Sequence, residues 1–506
     1  HFCLTKSTRA VNRQPVMPAM KRSGSPIPWK GLAPSKARAV GMDLEPLDAA
    51  SSRLRAQVDT GRLPGFMSCV IKEGKVIHFK AYGHSDVSAA APLGPDTLFR
   101  LYSQTKPIVV VAFLLLFEKG LVRLEDPLAK YIPAFKQSVV GAKRQSLARP
   151  ILLRDLLAHT SGVGFGPGFG YEAENEYESS YVDLCRRVDH QEIRSLARWC
   201  EEVAKIPLRF QPGKDWGYGY SSDILGRVIE VVSGQALDSF LQKEVLQKLG
   251  MTNTFFDVPH DRAKHLACLY KREPWHGCSK NVRFITTDVG GSGVVEDLQK
   301  RVHHRPITDK SSLLAAPSSV FLQGGPAAKV LQGGGCVCSI AGGLVSNMRD
   351  YARFCEMLVH KGKVDGIQFL QPETVKLMAR DWLNDFSAEK RRQPLWVWNT
   401  PGIGFSPLGQ IGVKHAGAKR NTVGSQLDTV HWGGAGGSGY MLNWPHRLIV
   451  LTYTGCVLDT ATQKTMWRAA FGSLRRGGSK ADVEQDADGN QGELQAAKRR
   501  RLSRAA

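Results

Sequence analysis

The stretch "LYSQTKPIVVV", residues 101–111, sets a serine and a lysine three positions apart at the mouth of a long apolar run. That spacing on a helix puts both side chains on one face, so the Lys106 amine can reach the Ser103 hydroxyl. The run from Ile108 to Phe117 is ten apolar residues, about half of the roughly 20 that a bilayer span needs, and reads as a buried core helix. Pro107 suits its first turn, where a missing N–H costs least, and Gly120 closes it after Lys119. A serine hydroxyl attacks a carbonyl carbon only with a base in reach. Lysine serves as that base where burial or a neighbouring cation disfavours its ammonium form. The helix start beside an apolar run offers burial, together with free backbone N–H groups that can hold an oxyanion. The same spacing also describes a helix-capping serine beside an exposed lysine, so the rest of the chain has to decide.

The 506 residues, 42% apolar and 23% charged, have ordinary globular usage and suffice for one large core or two moderate ones. The net charge of +22 raises nucleic-acid binding, but half of the excess sits in the two ends. Residues 1–42 carry eight Lys or Arg and no acid, and residues 473–506 carry eight basic and five acidic residues. Both are rich in Ser, Gly, Pro and Ala and are expected to be disordered. The basic first segment is an alternative organellar targeting signal, against which Pro15, Pro18, Pro26 and Pro28 count. "KRRRLSR", Lys498 to Arg504, reads as a solvated tail, with a nuclear address or nucleic-acid arm as the other reading. With no membrane span in the sequence, a cytoplasmic location is expected, or an organelle if the first segment is a signal. The ten cysteines include no C-x-x-C pair, and Cys336 with Cys338 supplies too few ligands for a metal. Reduced buried thiols, no metal and no cofactor are the expectation.

Along the chain, "FMSCVIKEGKVIHFKAYGHSD" from Phe66 holds two β-type runs around Glu73-Gly74-Lys75, a hairpin signal. Helical signals follow at Pro107–Lys119, Leu152–Ala158 and Ser222–Ser233, the last closed by Gly234. Strand-like segments return from Trp432, with "GYMLNWPHRLIVLTYTG" turning at Pro445. Strands at both ends and helices between imply an α+β fold: an antiparallel sheet flanked by helices, with an inserted all-helical lobe over roughly 108–260. Glycines cluster from Gly324 to Gly343 without a phosphate-loop pattern and are assigned to tight turns. Ser346 is the expected N-cap of the helix "NMRDYARFCEMLVHKG", which Gly362 closes. "YEAENEYESSY" from Tyr171 reads as an acidic, aromatic loop beside the pocket.

Further motifs appear in order: "LLAHTSG" (156–162), "PGKDWGYGYSSDILGRVIEVVSG" from Pro212, "GGGCVCSIAGGLVSNMRDYARF" from Gly333 and "HWGGAGGSGY" from His431. With the Ser103–Lys106 pair, the chain resembles the serine β-lactamase and penicillin-binding-protein superfamily, from about Leu44 to Gly472. Within it, the class C-like esterases and the fungal acyltransferases of statin side-chain assembly are the most similar. The resemblance implies one catalytic domain over 43–472, with Ser103 as nucleophile and Lys106 taking its proton. It implies Tyr218 as the tyrosine of the proton relay, with Tyr220 as the rival. It also places Trp432, Gly433 and Gly434 on the edge strand against the substrate, with the Ala435 amide joining that of Ser103 around the oxyanion. The family's usual K-T-G is W-G-G here, as in the esterase branch, so a cation for β-lactam carboxylates is replaced by an aromatic wall. His159 is expected to fix a loop and His431 to be structural or a pocket wall, since no G-x-S-x-G elbow surrounds Ser103. The expected activity is therefore acyl transfer from a small-molecule ester, as a carboxylesterase or transacylase. The alternatives are β-lactamase or D-Ala-D-Ala peptidase-like amide hydrolysis, and a non-catalytic scaffold or filament protein.

Overall fold

The structure, a computed structural model, describes residues 31–164, 176–189, 192–274, 282–286, 343–383, 386, 403–412, 428–457 and 459–474. Of 271–274 and 282–286 it describes only the backbone. Eight antiparallel strands form the main sheet. They are β1 (Gly65–Lys72), β2 (Lys75–Asp86), β3 (Ala91–Pro92), β4 (Ile403–Ser406), β5 (Gly409–Gly412), β6 (Thr429–Gly434), β7 (Ser438–Asn443) and β8 (Leu448–Tyr453). Their spatial order is β4-β5-β6-β7-β8-β1-β2-β3, so the last strand of the chain pairs with the first. Glu73 and Gly74, both at positive φ, make the β1–β2 turn, the geometry whose twist matches antiparallel strands. Among the described residues the chain leaves the sheet after β3 and rejoins it at residue 403, so the helices between are inserted into the sheet, as strands at both ends with helices between imply.

The central strands are apolar on both faces because both faces are covered. In β1, Met67, Cys69 and Ile71 join the larger core, whereas Phe66 and Val70 join a second one. Helices α1 (Pro34–Ala39) and α2 (Glu45–Asp59) share the second core with the C-terminal helix Thr460–Gly472. The larger core lies on the lobe side, around α3 (Thr105–Glu118), buried along nearly its whole length, as a helix apolar all round must be. Around α3 lie α4 (Leu153–Leu157), α5 (Glu176–Asp189), α6 (Leu196–Val203), α7 (Ser221–Ser233) and α8 (Met348–Val359).

Several expectations need correction. The segment 31–42, assigned to a disordered end, contains α1, buries Ala37 and Met42, and pairs Met42 with Leu474. Asp43 N–H also donates to the Ser473 carbonyl, so the inner edges of both supposed tails close the fold. The lobe is not all-helical: Val139–Val140 pairs with Gln145–Ser146. The helix after Ser346 is capped instead by Asn347, whose Oδ1 accepts from the Asp350 N–H at 2.8 Å. Ser346 is tied up in a short ladder with Phe99. From Glu176 onward the acidic "loop" is helix α5. Residues 1–30, 165–175, 324–342 and 475–506, with Cys336 and Cys338, lie outside the described residues.

Candidate active site

Ser103 sits in a single 3₁₀ turn, Tyr102–Gln104, that leads into α3. Three contacts fix this turn from outside. Leu101 N–H donates to the Leu344 carbonyl at 2.8 Å, Thr105 Oγ1 accepts from Leu344 N–H at 3.0 Å, and Tyr351 donates to the Gln104 carbonyl at 3.1 Å. Tyr102 holds φ at +46°, a conformation costly for a bulky side chain, with its ring buried against Gly436. The residue before Ser103 is thus forced into a bend that the surrounding packing maintains.

Two donors meet at the Ser103 hydroxyl. Lys106 Nζ lies 3.2 Å from Oγ and Tyr218 Oη lies 2.8 Å from it. The lysine ammonium also stands over the Tyr218 ring, 4.7 Å from its centroid, a favourable cation–π placement. All three side chains are buried, at 5%, 5% and 8% exposure, so their interactions are little screened by water. Ser103 and Lys106 converge because they share one helical turn. Tyr218 arrives from the segment just before α7, which packs on α3. The rival Tyr220 is in the lobe interior, stacked on Tyr181 at 5.5 Å, edge-on to Trp199 and 3.0 Å from the Cys185 sulfur.

His159 lies behind the tyrosine, its ring 4.7 Å from that of Tyr218. It adopts a positive φ of 55°, and its carbonyl accepts the Gly217 N–H at 2.9 Å, which holds the backbone one residue before Tyr218. Burial, with the charge of Lys106 adding to it, pushes the imidazole down to about 3 and keeps the ring neutral at ordinary pH. His159 therefore touches the site without an acidic partner of the Ser-His-Asp kind among the described residues. His431 faces the other side of the sheet and packs on Trp467, ring centroids 4.7 Å apart.

Strand β6 carries Trp432, Gly433 and Gly434, and Ala435 follows at its end. A side chain on Gly434 would come within 2.0 Å of the Leu101 carbonyl, so only glycine lets this strand approach the serine turn. Ala435 packs with Tyr102 in a small cluster, which brings the strand end beside the Ser103 turn. Trp432 lies 5.4 Å from the Tyr218 ring, part of an aromatic wall beside it. Two further aromatic residues complete that wall. Trp216 is two residues before Tyr218, and Phe405 on β4 stands edge-on to Trp432 at 5.5 Å and to His159 at 5.4 Å. Trp216 stands in the same short motif as Tyr218, "DWGYGY", which is the signal that could have found it. Nothing local in "GFSPLG" ties Phe405 to this site.

Among the described residues no three His, Cys, Asp or Glu side chains gather closely enough to hold a metal ion. The six described cysteines are buried and form no disulfide among the described residues. No helix among the described residues is long and apolar enough to cross a membrane.

Comparisons with known proteins identify the family. A Mycobacterium tuberculosis protein without assigned function is 28% identical over 417 residues, 80% of this chain and 89% of its own length. Esterase EstB of Burkholderia gladioli is 36% identical over 218 residues, 42% of this chain and 53% of the esterase. Among solved structures, EstCE1, described as a hydrolase with promiscuous acyltransferase activity, superposes with a TM-score of 0.62 at 22% identity. The match covers 84% of this chain and 98% of EstCE1. The family model described as Beta-lactamase matches residues 50–471, nearly the whole described domain, and the chain therefore belongs to the beta-lactamase family of serine hydrolases.

Proposed function

We propose that the protein cleaves carboxylic esters through a covalent acyl-enzyme on Ser103. The observation that carries this reading is the meeting of Lys106 Nζ and Tyr218 Oη on one buried serine oxygen, at 3.2 and 2.8 Å. In the reaction, Lys106 takes the Ser103 proton as Oγ bonds to the ester carbonyl carbon. The carbonyl oxygen becomes an oxyanion facing the backbone amides of Ser103 and Ala435, where fixed dipoles stabilise it without reorganisation. Collapse breaks the bond to the alcohol, whose oxygen takes a proton from Tyr218, while Lys106 returns its own proton to the phenolate. Water then attacks the acyl carbon by the same route in reverse. An alcohol in place of water would complete a transacylation.

Two features favour esters over β-lactams. Trp432 replaces the lysine that the resemblance associates with carboxylate binding, and the site is walled by rings suited to neutral or apolar acyl groups. EstB is an esterase by name, and EstCE1 combines hydrolysis with acyl transfer. The test is a series of p-nitrophenyl esters beside a chromogenic cephalosporin, with Ser103→Ala as control. Ester turnover that disappears in the control, with slow cephalosporin cleavage, is expected. Fast cephalosporin turnover with little ester cleavage would overturn the substrate assignment.

A further inference from the structure

Phe405 is held more firmly than a surface hairpin requires. Asp381 Oδ1 accepts its backbone N–H at 3.1 Å and that of Leu383 at 3.0 Å, while Trp382 N–H donates to the Phe405 carbonyl at 2.9 Å. The neighbouring Gly404 lies directly on that carboxylate, since a Cβ there would sit 2.4 Å from it. On the far side of the β4–β5 turn, Tyr440 donates to the Leu408 carbonyl. Gly409, at φ +132°, presses on Trp432, where a Cβ would come within 2.7 Å of the tryptophan Cβ. A side chain clamped on both flanks cannot move aside for a ligand at low cost.

The clamped ring lines a narrow slot of mixed polarity. Beside Lys106 and Tyr218, between Val110 and Leu156 of the lobe and Trp432 of the sheet, the remaining space is about 10 Å³, room for one water-sized group. Phe405 also touches Trp216, at 5.3 Å, so its ring meets His159, Trp216 and Trp432, the three rings that surround Tyr218.

We infer that Phe405 fixes the size of the acyl group accepted at Ser103, by filling a slot that would otherwise run on between sheet and lobe. The inference rests on the acyl-enzyme reading and adds to it a preference for short acyl chains with a named residue as its cause. A hydrophobic pocket discriminates by about 10–200-fold per methylene-sized change, so truncating this ring has room for a large effect.

The experiment compares kcat/KM for p-nitrophenyl acetate and octanoate in wild type and in Phe405→Leu, Phe405→Val and Phe405→Ala, each normalised to the sites labelled by a fluorophosphonate. The octanoate-to-acetate ratio is expected to rise at least about tenfold in F405A, with smaller rises in F405V and F405L and most of the gain in the octanoate KM. Merely loosened packing would lower both esters together. Should F405A not fold, F405L carries the same test. A ratio that moves less than twofold, or a wild type that already prefers octanoate, would overturn the inference and leave the acyl-enzyme reading standing. Failure of wild type to label with the fluorophosphonate would instead overturn that reading, and the inference with it.

Discussion

Strand β6 shows the two faces of the sheet in adjacent residues. Trp432 turns to the lobe, against Tyr218 and Phe405, and His431 turns the opposite way, against Trp467 of the C-terminal helix. Both side chains are aromatic and buried, yet they belong to different kinds of surface. The helix face packs Met441, Val450, Met466 and Ala470 together. The lobe face brings an amine, a phenol and a hydroxyl within hydrogen-bond reach of one another. A buried position next to a functional motif is therefore not functional in itself; what matters is the face on which the pleat places it.

Substitutions on the two faces should separate along that line. The largest effect is expected from Lys106→Met, which keeps an apolar stem of similar length and removes the proton acceptor. Ester kcat/KM should fall by about 10⁴-fold, with the melting temperature held or raised. On the helix face, Trp467→Ala should cost about 3–5 kcal/mol in urea unfolding and leave kcat/KM per folded molecule within twofold of wild type. Kinetic loss from that variant would show the two faces to be coupled. Gly434→Ala sits where they meet the serine turn: the new methyl group meets the Leu101 carbonyl at 2.0 Å. A loss of about 10²-fold in turnover with circular dichroism unchanged is expected, comparable to removing one oxyanion donor.

The smallest effect concerns pH. Glu356 on α8 is largely buried, which pushes its carboxyl up to about 7, against a usual value near 4.5. The folded protein therefore holds this proton more tightly than the unfolded chain. Its stabilising contribution is full below about pH 4.5 and fades as pH rises through about 7. Glu356→Gln should raise stability on the order of 2 kcal/mol at pH 8 and leave it unchanged at pH 4, read from thermal unfolding at the two pH values.

Much of this site is legible in the sequence because its chemistry is local. Ser103 and Lys106 lie within one helical turn, and Tyr218 stands at a fixed distance before the helix ending at Gly234. The sheet is legible through its end strands, whose apolar runs are bounded by turn residues. Phe405 is different: it reaches the site through an edge hairpin whose partner β6 begins at Thr429, 24 residues after Phe405, and no short-range pattern records that pairing. The cap before α8 is misplaced by one residue for a related reason. The Ser346 hydroxyl is engaged with Thr254 Oγ1 at 2.7 Å, far away in sequence, and Asn347 caps instead. At the N-terminal edge, a basic, proline-rich composition points to disorder. A buried alanine, a buried methionine and one bridge to Leu474 nevertheless dock residues 34–42 onto an existing core. Docking of this kind depends on a surface that composition does not describe.

The most direct measurement is the mass of the protein trapped by rapid acid quench during turnover of p-nitrophenyl acetate, followed by peptide mapping. A gain of one acetyl group on the peptide containing Ser103, absent from Ser103→Ala, is the result the mechanism requires. Acetylation mapped to a different side chain, or steady turnover with no acylated protein at any quench time, would contradict it.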